Sequence, residues 1–82
     1  MNSGGVNPGR RRMAALARLA DRVSVLILRD DYPAIDVVIE VSNLRETAEE
    51  MFPGTRRLFD MIYLSRFRRL WDQFRSGEGA PF

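Results

Sequence analysis

Eighty-two residues allow one domain at most, and thirteen basic against eleven acidic side chains leave a net charge of +2. With no Cys and no His, disulfides are excluded, and zinc, iron–sulfur and haem sites lose their usual ligands. No apolar run approaches the roughly 18 residues of a membrane-spanning helix, no cofactor is expected, and the cytoplasm is the expected compartment.

In chain order, residues 1–9 (MNSGGVNPG) are rich in Gly, Ser, Asn and Pro and read as a flexible tail. The triplet Arg10-Arg11-Arg12 followed by MAALARLA has the look of a targeting segment, but Arg18, Asp21 and Arg22 break the apolar stretch too early for a secretory signal. From about Arg10 to Arg29, apolar residues Met13, Leu16, Leu19, Ala20, Val23, Leu26 and Ile27 recur at spacings of three and four, which predicts one amphipathic helix. Asp30-Asp31-Tyr32-Pro33 punctuates the chain, with an Asp as a candidate cap and Pro33 suited to a first helical turn. The second segment, about Pro33 to Phe52, carries a heptad seam of Val37, Val41, Leu44, Ala48 and Met51. Pro53-Gly54-Thr55 marks the next turn, with Thr55 able to cap a third segment that runs to about Arg75. There Phe59, Ile62, Tyr63, Phe67, Leu70, Trp71 and Phe74 form a wide apolar arc. Residues 76–82 (SGEGAPF) read as a second flexible tail, so residues 10–75 make the single helical domain.

The expected fold is all-α: a small three-helix antiparallel bundle with disordered tails. An alternative is helix–β-hairpin–helix, because VSVLIL (23–28) and IDVVIEV (35–41) are short and β-branched with a turn between them. The uninterrupted helical period through both runs favours the bundle.

Charge divides along the chain. All basic residues are Arg. Residues 10–31 hold six Arg and three Asp, residues 32–52 one Arg and five acids, and residues 53–75 six Arg and two Asp. The plain reading is internal complementarity, an acidic middle helix held between two basic ones. A sharper one concerns Arg11, Arg18, Arg22 and Arg29, which at 100° per residue fall on one stripe opposite the apolar face. Such a stripe can follow nucleic-acid phosphates. No zinc finger, RNP motif or GXXG loop accompanies it, and attachment to a membrane surface is disfavoured.

Ile35, Val38 and Ile39 lie nearly opposite the heptad seam, and surplus apolar surface of this kind suits a protein partner or a homodimer. Leu64, Trp71 and Arg68 border the aromatic arc of segment three and are candidate interface residues on the same grounds. Arg66 falls inside that arc, which predicts a buried guanidinium paired with Glu46, Glu49 or Asp60. No nucleophile–base constellation or Gly-rich phosphate loop is present, and no small-molecule substrate is inferred. The expected function is a non-enzymatic helical protein-interaction module, self-associating or a small subunit of a larger assembly. The alternative is a nucleic-acid-binding or regulatory module using the Arg stripe.

Overall fold

A computed structural model describes residues 8–29, 31–75 and 79–82. Residues 1–7, residues 76–78 and Asp30 lie outside the described residues, and with them most of the first tail, part of the second and one of the two candidate capping acids. Three helices follow one another. Helix α1 spans Pro8–Leu28 and α2 spans Ala34–Met51. The third, α3, is built of Arg56–Phe59, a π-helical turn at Asp60–Leu64, and Ser65–Phe74. Its backbone stays helical across both junctions, with φ and ψ of −57° and −48° at Phe59 and −63° and −41° at Leu64. The described residues contain no strand, which overturns the hairpin alternative. Val23 and Ile27, and Val37 and Val41, are all buried at a spacing of four, whereas a strand would alternate its faces every second residue.

Consecutive helices run antiparallel, and the ends of α1 and α3 meet at one pole. There Arg75 donates from Nε to the Ile27 carbonyl (2.9 Å) and from Nη2 to those of Leu26 (3.1 Å) and Arg29 (2.6 Å). Leu26 and Ile27 lie in the last turn of α1, whose carbonyls lack i+4 donors within the helix, and the Leu26 and Arg29 oxygens also accept the main-chain N–H groups of Arg29 and Tyr32. The same guanidinium lies 4.6 Å from the Trp71 ring centroid.

The core is a single cluster. Leu16, Ala20, Val23 and Ile27 enter it from α1, Val37, Val41, Leu44 and Ala48 from α2, and Phe59, Leu64, Phe67 and Trp71 from α3. The α1 and α2 sets are the cores of the predicted stripes. Of the α3 set, Phe59, Phe67 and Trp71 lie in the predicted arc but Leu64 does not, because an i→i+5 turn carries one residue more than an α turn and sets back everything after it by one position. From Phe59, α-spacing leads to Ile62 and Arg66. The π turn leads instead to Leu64, Phe67 and Trp71, and leaves Ile62 and Arg66 outside.

Among the described candidates, neither Asp31 nor Thr55 forms a side-chain cap. Asp31 is taken by Arg29, and the Thr55 hydroxyl donates back to the Phe52 carbonyl. The α2–α3 turn depends on Gly54, whose φ of +85° is open to glycine at no steric cost. Its N–H donates to Glu49 Oε2 at 2.7 Å, which ties the turn to α2. At the C-terminal end, residues 79–82 are not a loose tail. Ala80 and Phe82 pack on the core, and the Phe82 ring meets Trp71 edge-on at 5.7 Å. Gly79 and Pro81 give that stretch the look of a tail, but one aromatic ring is enough to dock it.

Candidate functional site

A concave apolar surface lies at the pole formed by the α2–α3 turn. Met13 and Leu16 of α1, Ala48 and Phe52 at the end of α2, and Leu58, Phe59, Ile62 and Tyr63 of α3 line a groove of about 150 Å³, with Thr55 on the turn between them. Its wall is almost wholly apolar. Met13, Leu58 and Ile62 are about half exposed around it, and Met61 stands further out. The π turn makes this arrangement, since it turns Ile62 away from the core. Tyr63 stacks at 5.3 Å on Phe59, and the Arg66 guanidinium sits 5.6 Å above the Tyr63 ring.

Arg66 is therefore exposed and bound to a ring face, not buried in an ion pair. The ion pair between helices is made instead by Arg45, at a half-buried site. Its Nε and Nη2 donate to Asp60 Oδ1 (2.9 Å) and Oδ2 (2.8 Å), with both side chains 32% exposed. Leu64 and Trp71, expected at an interface edge, are core residues at 6% and 4% exposure. The same one-residue setback accounts for all three corrections. Arg68 is exposed, and its Nε donates to the Phe82 main-chain oxygen at 2.6 Å. Val38 is half-buried and lines a second hollow between α2 and α3, which Pro81 and Phe82 also border. Ile35 and Ile39 stand out from α2 at 64% and 49% exposure.

The Arg stripe is on the outside of α1, with Arg11, Arg18, Arg22 and Arg29 all exposed. Arg29 is held by Asp31 at 3.1 Å, which raises its own pKa and draws the Asp31 carboxyl below the ordinary carboxylate range, chiefly through their hydrogen bond. Arg11, Arg18 and Arg22 make no ion pair. The carboxylates of Asp36, Glu40, Glu46 and Glu50 on α2 make none either. Among the described residues no ion pair joins α1 to α2, so any complementarity between these two helices acts without direct charge contacts. The α2–α3 pair even runs against the segment charges, with an arginine from the acidic helix meeting an aspartate of a basic one.

The chain matches no family model, no curated protein and no solved structure. Its chemistry is read from the surfaces alone. Among the described residues no three acidic side chains gather to hold a metal ion, and no helix is long and apolar enough to cross a membrane. What the surfaces offer is contact: an apolar groove at one pole, exposed isoleucines on α2, and unpaired charges along α1 and α2. Sequence reasoning missed Arg45, Arg75 and the groove. The groove joins residues from three helices across a turn, so no one-helix pattern displays it. Arg45 and Arg75 are solitary arginines whose partners are far along the chain.

Proposed function

We propose that the chain is a non-enzymatic helical protein-interaction module that associates with itself or serves as a small subunit of a larger assembly, in the cytoplasm. The observation that carries this reading is the groove, where half-exposed Met13, Leu58 and Ile62 surround an apolar wall. Half-exposed methionine and aliphatic side chains around a concave wall are what an incoming apolar side chain needs in order to leave water. The exposed Ile35 and Ile39 add to the apolar surface that a small domain gains by covering. Sedimentation equilibrium of the full chain from about 1 to about 300 µM, where weak contacts dissociate, tests it. The expected average mass rises above the monomer. A monomer throughout, with solubility and melting untouched by Ile39→Glu and Ile62→Glu, would sink self-association.

A second reading has its own observation. Arg11, Arg18 and Arg22 are exposed and have no carboxylate partner, which suits phosphates. It requires binding to DNA or RNA that weakens steeply with salt, and absent or salt-insensitive binding disposes of it.

A further inference from the structure

The α1 stripe and the α2 acids share one face of the molecule. Leu19 and Arg22 border the same shallow hollow as Glu40, Asn43 and Thr47. The two helices are antiparallel, so Arg18, one residue before Leu19, is level with about Glu46. Away from α3, the molecule therefore shows a basic rod beside an acidic rod, with Leu19 and Ile39 exposed between and along them. Among the described residues no ion pair joins the two rods.

A nucleic acid laid on this stripe meets the carboxylates of the neighbouring helix, which repel phosphate. A second copy does not. Two-fold symmetry allows two ways of stacking this face on itself. An axis across the helices sets α1 on α1 and α2 on α2, like charge against like. An axis along the helices sets each α1 antiparallel on the partner's α2, opposite charge against opposite charge, and repeats every contact twice. Only the second is electrostatically allowed, and it also covers Leu19 and Ile39.

We propose that the occupant of the α1–α2 face is a second copy of this chain, in a two-fold dimer whose axis runs along the helices and whose α1 arginines face the partner's α2 carboxylates. This rests on the self-association reading but assigns that contact to the α1–α2 face rather than to the groove. The dimer is a four-helix layer with the two α3 helices outside, so both apolar grooves remain open.

The test uses the full chain and two variants with reversed charges at exposed positions, Arg18→Glu/Arg22→Glu on α1 and Glu46→Arg/Glu50→Arg on α2. Circular dichroism establishes that each is helical, and sedimentation velocity reports mass. The wild type is expected to dimerise, with a dissociation constant rising about tenfold or more between about 50 and about 500 mM salt. Each variant alone is expected to be monomeric, and an equimolar mixture to form a heterodimer, because reversal on both sides restores attraction. If the variants do not fold, the salt dependence of the wild type decides. A wild-type dimer indifferent to salt and to both variants overturns this face and leaves self-association standing. A monomer at low salt overturns both, and one that binds duplex DNA or RNA through Arg18 and Arg22 assigns the stripe to nucleic acid instead.

Discussion

A guanidinium is worth most where two of its nitrogens meet the oxygens of one carboxylate and water is partly kept away. Arg45 meets both conditions with Asp60, through two short hydrogen bonds at a half-buried site. A double-mutant cycle of Arg45→Ala with Asp60→Asn is expected to give a coupling of about 1 kcal/mol, since both groups keep some water. Arg66→Ala should cost less than about 0.5 kcal/mol, the scale of an exposed contact with a ring face. A cycle placing the larger loss on Arg66 would contradict the α3 register. Arg75 does more, as it supplies charged donors to three carbonyls at the end of α1 and covers Trp71. Arg75→Ala is expected to lower unfolding free energy by about 2 kcal/mol, read from urea denaturation, and Arg75→Lys to recover only part, lacking the planar fork. The Arg29–Asp31 pair carries a pH signature. Asp31 is held below the ordinary carboxylate range when folded, so the pair stabilises fully above the unfolded-state value and loses this as pH falls through the folded one. An NMR titration of the Asp31 carboxyl should show the depressed midpoint, and Arg29→Gln should return it to normal.

At the scale of the element, α1 and α2 were legible because each keeps one unbroken helical period from end to end. Their core residues follow from spacing alone. The third helix was legible only in outline. An apolar arc that holds an arginine, and that leaves a tryptophan at its rim, is what an α-period shows when it is drawn across an unrecognised π turn. Counting one extra residue between Phe59 and Leu64 moves Arg66 out and brings Leu64, Phe67 and Trp71 onto one line with Phe59. The anomaly was visible in the sequence; its cause was not, because no residue type marks an i→i+5 turn. This yields a sharp contrast between two deletions. Removing Met61, an exposed residue inside the π turn, leaves Leu64 four positions after Phe59 and converts α3 to a plain α-helix with its core intact. Its melting midpoint is expected within about 5 °C of the wild type, a change near 1 kcal/mol. Removing Arg69, also exposed, sets Asp72 in the place of Trp71. Burial of that carboxylate and loss of the ring together cost more than about 4 kcal/mol, enough to unfold a domain of this size. Thermal melts followed at 222 nm distinguish the two. Equal damage from both would mean that the wide turn is itself required.

For the whole molecule, the question is how three short helices with little core persist. Among the described residues, twelve buried ones form one cluster, and a domain of this length hides a smaller fraction of its surface than a larger one. No disulfide is available to restrict the unfolded chain. The interior charges that would knit α1 to α2 are absent, and those side chains face outward in two rods of opposite sign. In the proposed dimer a second copy would supply that support, and stability would become a property of concentration. For a two-fold dimer that melts to two unfolded chains, a tenfold rise in concentration adds about 1.4 kcal/mol per dimer, or about 0.7 kcal/mol per chain. In a domain of this size that raises the melting midpoint by about 3–5 °C per decade. Scanning calorimetry over two decades of concentration should show this rise at low salt and a weaker one at high salt, where exposed charges are screened. A midpoint that stays fixed as concentration changes would mean that the three helices hold by themselves. The two rods would then be a solvated surface, and the contact chemistry of the chain would be confined to the groove around Met13, Leu58 and Ile62.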